Sequence, residues 1–322
     1  MRPVSQNRDR VLVTGGAGFI GTNLVAELLN RGIEVRSIGL RAPACPAHKD
    51  VSQVCDVSNR PGLEDVFASF DPTVVFHLAA QTKLCTPCPA YDVNIQGTEN
   101  VLRALPSSNV RLAVFASSMV VAWRGDRAES LTRYAESKAV LERAVIAAPG
   151  ISCTRCIVRP VSTWGPWFRA PFLEFFDRIA RRQYWHLGAA DVPKRLGYVG
   201  NTVYQLLQLL SASREQLDLK VIYLGDYEPI TIRQWAEAIS RCFRVSPPRT
   251  LPDWMAGIAA RIGDLLERLR IPEVPLTSRR LANMRADTSQ FPIDEVRRIA
   301  GPLPYSLEAG VDRTVRWMQS LA

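Results

Sequence analysis

Short apolar runs punctuate this chain, and between them apolar residues recur every three or four positions. Val11 to Val13 is the first run, and Leu24, Val25, Leu28 and Leu29 follow at helical spacing. Residues 32–41 read as a turn and a second strand, and 54–57 as a short third strand followed by a helix over 64–70. Residues 73–81 predict a fourth strand with an alanine-rich end. Residues 91–103 predict a long helix, and 112–118 a fifth strand closing on two serines. A helix runs on from Tyr134, then a sixth strand over 154–160, a further strand over 221–226, a helix opened by a Thr231 cap and a terminal helix within 304–317. Strands alternating with helices predict an α/β fold with a doubly wound parallel sheet.

The first turn carries chemistry. Gly15, Gly18 and Gly21 stand between a strand and a helix, with two residues between each and the next. The first glycine permits a tight turn, the second lets a pyrophosphate approach the backbone, and the third lets helix pack on strand. The helix N-terminus then meets the anion with unpaired N–H groups. A dinucleotide site follows. At the end of the second strand an acidic residue ordinarily holds the adenosine ribose; here Gly39 stands there and Arg41 two residues on, which favours a 2′-phosphate and hence NADP over NAD. A solvated surface arginine is the competing reading of Arg41.

Tyr134 and Lys138 lie four residues apart on a helix and so share a face. A phenol of pKa about 10 is a poor base at neutral pH. A neighbouring ammonium and an oxidised nicotinamide both favour the phenolate. A serine at the end of the fifth strand, Ser118, can bond the same substrate oxygen. Eight tyrosines and five lysines in 322 residues make this spacing, in this order behind the glycine turn, an unlikely accident.

Taken together, Thr14-Gly-Gly-Ala-Gly-Phe-Ile-Gly21, His77-Leu-Ala-Ala80, Asn94…Gly97-Thr98 and Tyr134-Ala-Glu-Ser-Lys138 resemble the short-chain dehydrogenase/reductase superfamily. The likeness is to its extended branch of nucleotide-sugar epimerases, dehydratases and reductases. It covers nearly the whole chain and is most specific over 11–160. It implies a Rossmann-type cofactor domain over 1–163 with a returning segment at about 196–226, and a smaller α/β substrate domain over 164–195 and 227–322. Implied cofactor contacts are Gly15, Gly18, Phe19, Ile20, Gly21, Arg41, Asp56, Val57, Leu78, Ala79, Ala80, Tyr134, Lys138 and Pro160. By the resemblance, Tyr134 exchanges the substrate proton, Lys138 lowers its pKa and holds the nicotinamide ribose, and Ser118 positions the oxygen. His77 reads as structural. The resemblance also implies a homodimer, with the helices at 91–105 and 134–147 supplying a four-helix contact.

The departures narrow the chemistry. Met119-Val120 follows Ser118 where sugar dehydratases carry Asp-Glu, so dehydration is disfavoured. Val121-Ala-Trp-Arg-Gly replaces the usual Val-Tyr-Gly, and the interval from Ser118 to Tyr134 is short for the family. Ser162 and Trp164 replace the Asn and Tyr of an Asn-x-Tyr-Gly-Pro segment. Around them lie Trp167, Phe168, Arg169, Phe172, Phe175 and Phe176. The phenylalanines read as core. Trp167 and Arg169 are candidate contacts to a base or sugar and to a diphosphate. Thr82, Lys83, Ser118 and Ser162 complete the candidate substrate contacts. The leading expectation is an NAD(P)-dependent oxidoreductase of a nucleotide-activated sugar, either epimerase or ketoreductase. The alternative is a hydroxysteroid- or lipid-type dehydrogenase, supported by Pro275-Leu-Thr-Ser-Arg-Arg-Leu…Asp287 and the 254–271 stretch. Retention of Tyr134 and Lys138 argues against a non-catalytic sensor.

Composition adds bounds. Apolar residues make up 47% and charged residues 22%, as in globular enzymes. The net charge of +9 comes from 35 arginines and only five lysines, and suits a phosphate-bearing ligand; no nucleic-acid partner is expected. The first ten residues are polar with no signal region, and no apolar run is long enough to span a bilayer, so a cytoplasmic protein is expected. The 254–271 stretch is amphipathic with basic punctuation; packing on its own domain is the favoured reading and a membrane surface the other. Seven scattered cysteines fit a reducing compartment. Cys85/Cys88 and Cys153/Cys156 invite a metal, but two residues three apart on a strand face opposite ways, and no metal is expected.

Overall fold

The computed structural model describes residues 9–82, 91–122, 129–269, 271, 274 and 276–321. The strands are β1 (Arg10–Thr14), β2 (Glu34–Gly39), β3 (Ser52–Val54), β4 (Val74–His77), β5 (Leu112–Ala116), β6 (Thr154–Pro160), β7 (Ser162–Trp164), β8 (Trp185–Leu187), β9 (Pro193–Lys194), β10 (Leu196–Tyr198), β11 (Lys220–Leu224), β12 (Ile230–Thr231) and β13 (Arg249–Leu251). Seven of them form one parallel sheet in the order β11-β6-β5-β4-β1-β2-β3. The helices α1 (Phe19–Asn30), α2 (Arg60–Phe70), α3 (Asp92–Ala104) and α4 (Glu129–Ala147) connect successive strands and flank the sheet. The strand order turns back at β1, which lies between β2 and β4, and a parallel sheet opens a ligand crevice at such a switch point.

The apolar runs are continuous because both faces of each strand are covered. In β1, Val11 and Val13 enter one core cluster and Leu12 the other. Cys156 joins the first cluster and Cys153, just ahead of β6, the second, so the two thiols lie on opposite faces of the sheet. The first cluster continues beyond the sheet into the later part of the chain. There follow α5 (Phe172–Ala180), α6 (Val199–Gln208), α7 (Arg214–Leu217), α8 (Ile232–Phe243), α9 (Asp253–Arg268), α10 (Ser278–Met284), α11 (Asp294–Ala300) and α12 (Leu307–Gln319). Trp235 on α8 is 1% exposed, with its ring 5.2 Å from Trp164, 4.9 Å from Phe175 and 5.6 Å from Phe176. Phe168 is buried in the same cluster, as the phenylalanine-rich stretch predicts.

Several boundaries differ from the sequence pattern. The third strand covers 52–54, so Asp56 and Val57 lie in the loop after it. The pattern misleads because Ser52 and Gln53 are polar while Cys55 and Val57 are buried as loop anchors. The helix expected over 64–70 starts at Arg60, capped by the Asn59 side chain, which accepts from Gly62 N–H. The fourth and fifth strands stop at His77 and Ala116, so the small-residue end and the serine pair lie in the turns beyond them. Thr231 caps α8 in a full capping box with Gln234.

The stretch at 254–271 packs on its own chain, but through a seam of small residues rather than through its large apolar ones. α9 buries only small residues, Ala256, Ala260 and Gly263, and its large apolar side chains point outward. Met255, Ile258, Ile262 and Leu265 lie 39–56% exposed. Close approach at Gly263, where an added Cβ would stand 1.7 Å from the Leu276 carbonyl oxygen, demands a small seam.

Removing the aromatic hub should test how much the later helices depend on it. Trp235→Ala should destabilise the protein by about 3–5 kcal/mol, read as a lower denaturation midpoint; a shift under about 1 kcal/mol would show that the cluster is not a shared core.

Candidate functional site

The glycine turn is built as a cradle. Gly15 has φ +75° and donates its N–H to the Ile38 carbonyl at 2.7 Å. A Cβ there would stand 2.6 Å from the Ala79 nitrogen, and one on Gly21 would stand 2.2 Å from the Gly15 carbonyl oxygen. No side chain caps the N-terminus of α1 at Gly18, so Phe19, Ile20 and Gly21 open the helix with amides available to an anion. Opposite, Leu78 N–H donates to the Thr14 carbonyl and Ala79 N–H to the Thr14 hydroxyl, 3.0 and 3.2 Å away. Ala80 is half-buried beside them. These backbone surfaces, stripped of side chains where a pyrophosphate must pass, fit a dinucleotide.

His77 pins this wall from behind. Its Nδ1 meets the Thr14 hydroxyl at 2.8 Å and its Nε2 meets Thr98 on α3 at 3.1 Å. Burial, with Lys138 nearby, pulls its pKa down to about 3, so it stays neutral. At the far end, Gly39 closes β2, and Arg41 stands exposed two residues on. Asp56 accepts from Ser58 N–H at 2.8 Å. Buried Val57 sits against Gly97, where an added Cβ would come within 2.6 Å of its methyl. Asn100 holds this loop by donating to the Val57 and Ser58 carbonyls.

The reactive residues converge beyond the ends of β4 and β5. Ser118 stands beside Tyr134, and its hydroxyl favours the ionised phenol. Burial pushes the phenol up to about 12, the Ser118 hydroxyl opposes the shift, and Tyr91, with its ring 6.0 Å away, adds to it. Lys138, one turn along α4 and 2% exposed, donates to the Ala116 carbonyl at 2.7 Å. Burial lowers the ammonium to about 8, against the pull of Glu142. Asn94 on α3 is 1% exposed, donates to Ser137 and the Gln81 carbonyl, and accepts from Gln81 N–H at 2.7 Å. It ties α4 to the loop that follows β4.

Sequence reasoning missed the layer behind Lys138. Glu142 is 7% exposed and takes a bidentate pair from Arg159 on β6, 2.6 and 2.8 Å away. It also accepts from Ser117, and Arg159 donates to the Tyr223 hydroxyl at 2.7 Å. The available signal was the Tyr134, Lys138, Glu142 spacing of four and four on one helix face.

The remaining candidates are placed by their own elements. Ser162 begins β7 and pairs with Leu196, and Pro160 closes β6 opposite Leu224. Trp167 is half-buried at φ +71° with its ring 5.8 Å from Trp317, and Arg169 is exposed. Thr82 is exposed after β4. Lys83, the Cys85/Cys88 pair, Trp123 to Gly125 and Pro275 lie outside the described residues.

The model of the NAD dependent epimerase/dehydratase family matches residues 11–220. The chain is 25% identical over 325 residues to the N-acetyl-alpha-D-glucosaminyl-diphospho-ditrans,octacis-undecaprenol 4-epimerase of Escherichia coli O157:H7, covering 96% of this chain and 95% of that protein. It is 30% identical over 258 residues to a 3 beta-hydroxysteroid dehydrogenase/Delta 5-->4-isomerase of Mycobacterium tuberculosis, covering 71% and 68%. Its fold superposes on the UDP-glucose 4-epimerase of Thermotoga maritima, solved with UDP-glucose, with a TM-score of 0.71 at 20% identity over 97% and 99% of the two chains.

Two outcomes test the assembled site. Tyr134→Phe should cut dinucleotide-dependent turnover about a hundred- to ten-thousand-fold while leaving dinucleotide affinity near that of the unaltered chain; equal losses in both would make Tyr134 a binding residue. Glu142→Gln removes the anion that raises Lys138, so the lysine should titrate below its value of about 8. With only five lysines, heteronuclear NMR can follow this directly, with Lys138→Arg as the assignment control. An unmoved titration would separate Glu142 from Lys138.

Proposed function

The chain belongs to the NAD dependent epimerase/dehydratase family, and from that premise we propose that it moves a hydride to and from a secondary carbinol of a diphosphate-activated sugar. The observation that carries this reading is buried Lys138, held by the Ala116 carbonyl one turn of α4 from Tyr134, with Ser118 beside the phenol and the glycine cradle next to them. A bound nicotinamide dinucleotide supplies the hydride acceptor and donor. Its pyrophosphate would be held by Gly15, Gly18 and the first amides of α1, its adenine side by Asp56 and Val57, and its nicotinamide side by Lys138 and Pro160. Tyr134 Oη takes the proton of the carbinol as the ketone forms and returns it when the carbinol is restored. Ser118 Oγ bonds the same substrate oxygen and fixes its distance from the phenol. Lys138, held by the Ala116 carbonyl, favours the phenolate through its charge.

A sugar 4-epimerase and a 4-ketoreductase share this proton and hydride chemistry; the epimerase returns the hydride to the other face of the ketone it has formed and keeps its dinucleotide, whereas the reductase takes a ketone as substrate and consumes the reduced dinucleotide. Met119 and Val120 at the positions after Ser118 supply no acid or base for water elimination. Arg41, with Gly39 in place of an acidic residue, supports NADP over NAD. Thr82, Lys83, Ser162, Trp167 and Arg169 are the proposed substrate contacts, and α3 with α4 the proposed face for a homodimer. A second reading, oxidation of a steroid or lipid carbinol, is favoured by the outward apolar face of α9.

Heat release and identification of the dinucleotide carried by the purified protein, followed by affinities for NADH and NADPH, tests both parts. Retained dinucleotide and interconversion of epimers among UDP-linked or polyprenyl-diphosphate-linked N-acetylhexosamines, without net oxidation, is the expected result. Net dinucleotide reduction on steroid carbinols would favour the second reading. If Arg41 holds a 2′-phosphate, Arg41→Ala should weaken NADPH about tenfold or more and leave NADH unchanged; equal effects on both would remove the NADP preference.

A further inference from the structure

Fourteen large apolar side chains stand exposed among the described residues, and eight of them fall between Trp254 and Met284. Five of the eight line one stripe of α9: Trp254 (67% exposed), Ile258 (50%), Ile262 (54%), Leu265 (56%) and Leu269 (63%), the last at the helix end. Their spacing of four, four, three and four keeps them on one side of the helix, directly opposite the Ala256, Ala260 and Gly263 seam. A monomeric soluble surface rarely gathers so much contiguous apolar area.

The charges on α9 are sorted. Its three acids are engaged: Asp253 by Arg285 at 2.6 Å, Asp264 by the Ser278 N–H and hydroxyl at 2.8 and 2.6 Å, and Glu267 by Arg279 at 3.1 Å. Arg261 and Arg268, both exposed, stand seven residues apart along one border of the stripe, as helical geometry places them. The helix is about 24 Å long. No helix among the described residues is long and apolar enough to cross a membrane.

We propose that this face of α9 docks the protein on an anionic lipid bilayer, with the apolar stripe in the headgroup boundary and Arg261 and Arg268 on lipid phosphates. Charge argues for lipid over a second copy. Antiparallel pairing along the stripe would bring the arginine borders of both copies toward one seam, where like charges repel. The proposal stands whichever substrate the catalytic site takes.

Co-sedimentation of the whole protein with vesicles of phosphatidylglycerol and phosphatidylcholine in equal parts tests it without any activity. The unaltered chain should pellet with these vesicles, and bind less in high salt or to phosphatidylcholine alone. Ile258→Gln with Leu265→Gln should lower partitioning about tenfold or more, with an unchanged melting curve because neither touches the Ala256–Gly263 seam. Arg261→Gln with Arg268→Gln should abolish the preference for anionic vesicles. A protein that stays in the supernatant, or a double apolar variant that pellets unchanged, overturns the proposal. So does a lipid-free dimer that this variant splits, which would give the face to a second copy.

Discussion

A lysine ammonium that is 2% exposed is the constraint on which the rest of the site turns. Burying a cation costs several kcal/mol unless partners replace the lost water. Here the partners are the Ala116 carbonyl at the end of β5 and, one helical turn further along α4, the carboxylate of Glu142. Glu142 carries its own burial cost, met by the bidentate Arg159 and by Ser117. Arg159 in turn reaches Tyr223 on the neighbouring edge strand. The position of one ammonium is therefore linked to three adjacent strands and a helix, and that linkage fixes where Tyr134 can present its phenol.

The same burial acts on both titratable members of the site in one sense. It pushes the phenol up to about 12 and the ammonium down to about 8, so each is biased toward its neutral form. Ser118 and Glu142 pull the other way. At neutral pH the lysine stays charged and the tyrosine stays protonated, which is the state needed to bond a ketone oxygen and give it a proton. For the reverse direction the phenolate must form, and a cationic ring bound beside it would lower that cost. The site is thus set by electrostatics that respond to what is bound, rather than by a permanently ionised base.

How much of this was legible depends on the range of the contacts. The glycine turn, the Tyr134–Lys138 pair and β6 over 154–160 rest on local spacing, and they stand where the pattern placed them. His77 reads as structural from sequence and is held between Thr14 and Thr98. The Glu142–Arg159 pair was not legible, because it joins a helix to a strand across a contact that no periodicity encodes. The apolar Cys55 and Val57 imitate a strand's signal at Asp56 and Val57, where the structure has a loop with buried anchors. Asn100, which holds the Val57 and Ser58 carbonyls, carries no local cue at all.

The α9 stretch shows a different limit. A hydrophobic stripe at helical spacing reports that one face is apolar, and in most helices that face is the buried one. In α9 the order is inverted: alanines and a glycine make the inner seam, since backbone crowding at Leu276 leaves room for nothing larger, and the bulky residues are displaced outward. In α9 the room available at the seam, not hydrophobicity, decides which side faces in. A helix that uses its small residues for the fold retains its large ones for something else. With arginines along its border and its acids drawn into ion pairs, what remains matches the chemistry of a lipid headgroup layer.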